Sequence, residues 1–129
     1  MSISSTRPNI KVDVIKNNSL SGLCGLIKNN LNKFDIIYVD GSHYAKNVLE
    51  DCILSWNLLT IGGILICDDY LFYGFKGGID PQILPKCAID AFITTIKNQY
   101  IILEQNYQIF IQKTKNISNT DFLTMIGRN

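Results

Sequence analysis

Apolar and polar positions follow two different periods along this chain, and the switches between them mark out its elements. Ile10–Ile15 (IKVDVI) alternates apolar and polar, as a strand with one wet face does. From Ser19 to about Leu31, the residues Leu20, Leu23, Cys24, Ile27 and Leu31 recur at helical spacing. Gly22 and Gly25 each weaken that helix by about 1 kcal/mol, so it has to lean on tertiary packing. Phe34–Val39 is a nearly continuous apolar run, the pattern of a strand covered on both faces. Gly41 and Ser42 break it, and Ser42 suits the cap of the element that follows. Ala45, Val48, Leu49, Cys52, Ile53, Trp56 and Leu59 then form a broad helical stripe, with Trp56 in the core. Gly62–Gly63 closes the crossover, and Ile64–Cys67 forms a second buried strand.

Tyr70–Leu84 has no steady period and mixes aromatics, glycines and a proline, so it reads as a long loop. Pro85 suits the first turn of a helix that Ala88, Ile89, Phe92, Ile93 and Ile96 carry to about Asn98. Tyr100–Glu104 and Tyr107–Lys113, parted by Gln105–Asn106, read as a hairpin that closes the sheet with an antiparallel strand. The expected organisation is a flexible leader over 1–9, an α/β domain over 10–113 and a C-terminal tail over 114–129. That tail, with an apolar patch from Phe122 to Ile126, reads as loose or as a brief helix.

Composition narrows the picture. A chain of 129 residues with 47% hydrophobic content can bury one core. A net charge of +1 makes no electrostatic case for nucleic acid or an anionic membrane. No apolar run reaches membrane-spanning length, and the polar start MSISSTRPN lacks a signal-peptide core, so a cytoplasmic location is expected. Cys24, Cys52, Cys67 and Cys87 are scattered singly, which suits reduced, buried thiols rather than a disulfide or zinc site.

The candidate chemistry gathers between Phe34 and Tyr70. A strand–helix–strand unit makes its two strands parallel and brings their acidic ends, Asp40 and Asp68–Asp69, to one edge of the sheet. Ligands of open parallel sheets bind at that edge. Three converging carboxylates repel one another unless a cation or a proton relieves them, and a hard ion such as Mg²⁺ suits oxygen donors. The other reading is that Asp40 caps a turn while Asp68 and Asp69 are solvated. His43, the chain's one histidine, is either a general base or a polar residue facing water at a helix start. The aromatics Tyr70, Phe72, Tyr73 and Phe75 either line a pocket or pin the loop, and Lys76-Gly77-Gly78 is a weak hint of a mobile or anion-approaching turn.

The stretch FDIIYVDGSHYAKNVLEDCILSWNLLTIGGILICDDY resembles the second half of class I S-adenosylmethionine-dependent methyltransferases. It is most similar to the branch of metal-dependent sugar and macrolide O-methyltransferases. The shared pattern is a hydrophobic strand, D-G-x-H, a helix with Asp and Trp, L-L-x-x-G-G, and a strand ending in D-D. PKCAIDAF from Pro85 resembles the branch's helix after the active-site loop. The resemblance implies Mg²⁺ held by Asp40, Asp68 and Asp69, with His43 as the base toward a small-molecule hydroxyl. It also implies methyl transfer from S-adenosylmethionine by in-line displacement, helped by positioning and desolvation.

The resemblance runs over roughly Ile10 to Lys113 and omits the family's front half. No E/D-x-G-x-x-x-G stretch precedes Phe34 in this sequence, and Gly22 and Gly25 fall inside a helix pattern. Where the family often has G-D-S near the adenine, this chain has Asn17–Asn18–Ser19, so Asn18 and Ser19 are what remains of the cofactor contacts. The implied fold is α/β: a truncated Rossmann-like methyltransferase sheet, mostly parallel, of about five strands with helices on both faces. The missing strands would leave the edge of Phe34–Val39 bare. Either Ile10–Ile15 slides in beside it, or a second copy or partner chain covers it, and a homodimer is expected. The competing expectations are a non-catalytic methyltransferase remnant and a module that binds a metal or small ligand.

Overall fold

The computed structural model describes residues 9–73 and 80–127. In chain order it contains α1 (Ser19–Asn30), β1 (Phe34–Val39), α2 (Ala45–Leu58), β2 (Leu59–Cys67) and α3 (Pro85–Thr95). The hairpin β3 (Tyr100–Gln105) and β4 (Ile109–Lys113) and the short α4 (Asn119–Met125) follow. Most of the expected leader and the Phe75–Gly78 stretch lie outside the described residues.

The fold is α/β, and its sheet runs β1-β2-β4-β3. β1 and β2 are parallel, in register from Ile36↔Ile64 to Val39↔Cys67. β4 runs antiparallel to both β2 and β3. The sheet therefore has four strands, not five, and is mixed rather than mostly parallel. The expected strand at Ile10–Ile15 is the one that does not form. Its apolar alternation is real, but a strand is held by a ladder and by side chains facing it across that ladder. The segment finds neither, and Ile10, Val12 and Ile15 stay about half exposed.

One face of the sheet carries the core. Val39, Leu65, Cys67, Ile109 and Ile111 point into it and meet Val48, Cys52 and Trp56 of α2 and Ala88, Ile89 and Phe92 of α3. Trp56 and Phe92 meet edge to face at 5.6 Å between ring centroids. α1 packs against α2 and buries none of its residues fully. Its half-buried side is Leu23, Leu26 and Ile27, whereas Leu20, Cys24 and Leu31 of the expected stripe are exposed.

The opposite face carries no such cover among the described residues. Ile36 (63% exposed), Tyr38 (48%) and Ile101 (53%) lie on it, beside half-buried Ile64, Ile66 and Phe110. This corrects the expectation that β1 is covered on both faces and that helices flank the sheet on both. An apolar run states what a strand could bury, not what is present to bury it.

Other boundaries shift for local reasons. α2 passes into β2 without a loop, so Gly62 and Gly63 sit inside the strand, at an irregularity where Phe34 pairs with Leu59 but Ile36 pairs with Ile64. Gly62 takes φ +89°, a conformation open mainly to glycine. The cap of α2 is Tyr44, not Ser42, although the Ser42 hydroxyl accepts from the Tyr44 amide at 3.0 Å. Pro85 does open α3, which ends at Thr95 rather than near Asn98. Cys52 and Cys67 are buried with their sulfurs 3.6 Å apart, while Cys24 and Cys87 are exposed, contrary to expectation. No helix among the described residues is long and apolar enough to cross a membrane.

Candidate metal and methyl-transfer site

The parallel pairing of β1 with β2 ends at Val39↔Cys67, so the next residue of each strand emerges at the same edge. The Asp68 amide donates to the Val39 carbonyl at 3.0 Å and carries the ladder one step further. Asp69 then turns the chain in the left-handed region, at φ +61°. One oxygen from each of Asp40, Asp68 and Asp69 can be chosen so that all lie within 4.8 Å of one another. The structure thus brings the three expected carboxylates together.

His43 joins them. Its Nε2 lies 3.0 Å from Asp69 Oδ2, and its ring stacks on Phe72 with centroids 4.4 Å apart. The loop aromatics therefore divide by role. Phe72 braces the imidazole, and Tyr70 is buried, donating its hydroxyl to Asp90 at 2.6 Å. Tyr73 is exposed.

Three polar side chains that sequence reasoning missed complete the cluster. The Tyr38 hydroxyl donates to Asp68 Oδ2 at 2.6 Å and accepts from Gln108 Nε2 at 2.8 Å. The Tyr107 side chain comes from the turn before β4 and interacts with the Asp69 carboxylate, which raises its hydroxyl pKa. Tyr38 had a legible signal: it lies two residues before Asp40, hence on the same side of β1. Tyr107 and Gln108 had none, because only the folded hairpin carries them to this edge.

The electrostatics follow from that crowding. Partial burial, and then the charges of Asp68 and Asp69, raise the Asp40 pKa above the ordinary carboxylate value. The hydrogen bond from Tyr38 instead holds Asp68 low. The same bond, with some burial and the nearby carboxylates, pushes the Tyr38 hydroxyl up to about 12. Hard oxygen donors, mutual repulsion and a raised carboxylate pKa make a donor set suited to a small divalent cation.

Asn18 and Ser19 sit elsewhere, lining a cavity of about 330 Å³ between α1 and the end of β1. Asp40, Gly41 and Asp51 also line it, so it adjoins the carboxylate cluster. Asn18 Oδ1 is engaged as the cap of α1, accepting from the Ser21 amide at 2.9 Å. Asp51 is buried; burial raises its pKa, and a hydrogen bond with Ser19 counters that rise. The volume is at the low end of small-molecule sites.

Residues 4–70 match a family model described as a methyltransferase domain. Uncharacterized protein R132 of Acanthamoeba polyphaga mimivirus is 30% identical over 66 residues, covering 51% of this chain and 27% of that protein. A crystal structure of a Corynebacterium glutamicum protein superposes with a TM-score of 0.61 at 17% identity, covering 88% of this chain and 52% of that one. MycE methyltransferase from the mycinamycin biosynthetic pathway, solved with Mg, SAH and mycinamycin VI, gives a TM-score of 0.59 at 20% identity. That superposition covers 81% of this chain and 33% of MycE. At such identities the two structures speak to fold alone. The chain spans about a quarter of its curated relative and between a third and a half of these solved structures.

Proposed function

The chain belongs to the methyltransferase domain family, and from that premise we propose that it serves S-adenosylmethionine-dependent methyl transfer to a small-molecule hydroxyl, assisted by Mg²⁺. The observation that carries this reading is the convergence of Asp40, Asp68 and Asp69 within 4.8 Å, with His43 3.0 Å from Asp69. Asp40, Asp68 and Asp69 would hold the cation. When bound, Mg²⁺ orients and acidifies a coordinated hydroxyl, and S-adenosylmethionine supplies the electrophilic methyl group. His43 serves as the base for the hydroxyl proton. The carboxylate of Asp69 at its Nε2 stabilises the imidazolium so formed, and the stacked Phe72 ring holds the imidazole in place. The cavity beside Asn18 and Ser19 supports cofactor binding at the neighbouring end of β1.

A second reading is favoured by two observations. No glycine-rich E/D-x-G-x-x-x-G stretch precedes Phe34 in this sequence, and the outer edge of β1 is unpaired among the described residues. On this reading the chain acts as a metal-binding or oligomerising module. We further propose that a second copy or a partner chain lies along the β1 edge.

Titration calorimetry on the chain separates them. Mg²⁺ binding that disappears in Asp68→Asn, together with micromolar S-adenosylmethionine binding, supports the enzyme. Mg²⁺ binding without the cofactor favours the module. Neither binding event would defeat the metal and cofactor assignments together.

A further inference from the structure

Both oxygens of the Asp68 carboxylate are engaged. Its Oδ1 accepts the Asp69 amide at 2.7 Å, and its Oδ2 accepts the Tyr38 hydroxyl at 2.6 Å. Tyr38 is itself tethered, because Gln108 Nε2 donates to its oxygen at 2.8 Å. These groups come from three places: Tyr38 from β1, Asp68 from the end of β2, and Gln108 from the turn before β4. The strand register explains the meeting. Tyr38 pairs with Ile66, two residues before Asp68, so both side chains rise on one face of the sheet. β4 lies on the far side of β2, which brings Gln108 to the same spot.

A carboxylate rotates about its Cβ–Cγ bond unless something fixes it, and a cation gains most from donors that are already aimed. Each carboxylate oxygen has two lone pairs, so a hydrogen bond on each oxygen sets the plane of the group while leaving electron density for a metal. Because Gln108 donates to the Tyr38 oxygen, it also polarises the hydroxyl that reaches Asp68. We infer that Tyr38, steadied by Gln108, is a positioning residue that orients Asp68 for a divalent cation. This inference rests on the metal reading proposed above. Outer partners of metal-binding carboxylates commonly carry a large share of affinity without touching the ion.

The test uses the full chain and Mg²⁺ itself, titrated by calorimetry, with Mn²⁺ followed by electron paramagnetic resonance as a second probe. Tyr38→Phe keeps the ring and removes the hydroxyl. It should weaken Mg²⁺ binding about 10- to 100-fold with little change in melting temperature. Gln108→Leu should give a smaller loss in the wild-type background and no further loss on top of Tyr38→Phe. That dependence would not arise if the two residues served only to stabilise the hairpin. Equal affinity in wild type and Tyr38→Phe would overturn this inference and leave the metal site standing. Absence of Mg²⁺ and Mn²⁺ binding in the wild type would overturn the metal reading and this inference with it. Should Tyr38→Phe fail to fold, Gln108→Leu decides alone: unchanged affinity there counts against the positioning role.

Discussion

The ammonium of Lys113 lies 2.8 Å from the carbonyl oxygen of Trp56 and ties the last strand of the sheet to the last turn of α2. It also donates to the Leu59 carbonyl at 2.9 Å and to Asn32 Oδ1 at 3.1 Å. A buried cation is tolerable here because its three protons meet three oxygens, two of them carbonyls at the negative end of a helix. The charge also sits 5.5 Å from the centroid of the Trp56 ring. The residue that fixes the helix therefore comes from 54 to 57 positions further along the chain.

Lys113→Met should preserve the buried stem and leave two carbonyls without their donor. The expected loss is about 1–3 kcal/mol, read from urea unfolding. Burial lowers the Lys113 pKa from its usual 10.5, so the folded chain sheds this proton before the unfolded chain does. Stability conferred through this group therefore rises with pH in the window just below 10.5. The gap between wild type and Lys113→Met should widen across that window. A gap that narrows there would contradict the burial of the charged form.

Asp40→Asn should separate repulsion from metal binding. Without a divalent ion, removing one of three crowded charges leaves thermal stability unchanged or raised. Mg²⁺ at about a hundred times its dissociation constant should stabilise the wild type by about 2.7 kcal/mol and have no comparable effect on the variant. Differential scanning fluorimetry with and without Mg²⁺ reads both effects. An Mg²⁺ shift retained in full by Asp40→Asn would remove that residue from the ligand set.

Proton release offers an independent check on the same cluster. Because the Asp40 pKa is raised above 3.8, the folded chain holds a proton there at pH values where an ordinary aspartate has lost it. In that window stability falls as pH rises toward the folded-state pKa. Mg²⁺ must displace the proton to bind, so affinity should drop as pH falls through the window. Calorimetry in two buffers of different ionisation enthalpy measures the protons released; none released near pH 4 would refute the coupling.

Gly63 should resist substitution by alanine. A Cβ at this position would lie 2.9 Å from the Thr60 carbonyl oxygen and 2.8 Å from Leu59 Cδ1. Leu59 is fully buried and the carbonyl belongs to the backbone, so neither yields cheaply. A loss of about 1–3 kcal/mol is expected from overpacking. Gly25→Ala, with nothing within 4 Å of the new Cβ, should instead stabilise α1 by roughly 0.5–1 kcal/mol. Unfolding curves for the pair test both signs.

How much of this was readable beforehand depended on whether the signal was local. The β1–α2–β2 unit and the meeting of Asp40, Asp68 and Asp69 follow from a helical stripe between two apolar runs, and those patterns survive in the structure. The failures share a different cause. Alternation at Ile10–Ile15 says nothing about whether a neighbour exists to pair with it. The run through Leu58, Leu59 and Ile61 serves the end of a helix and the start of a strand equally well, so the pattern alone starts β2 at Ile64, five residues after its true start at Leu59. Lys113 reads as a polar strand end, and only its contacts across the fold reveal a buried cation.

The open face of the sheet sets how the isolated chain will behave in solution. Ile36, Tyr38 and Ile101 present oily surface, and a net charge of +1 provides almost no mutual repulsion between molecules. Salts that strengthen apolar association, such as sulfate, should bring the chain out of solution at modest concentration. Ile36→Lys and Ile101→Lys would disturb no buried contact, and each would add charge where molecules meet. Their salting-out points measure how strongly that face seeks a cover.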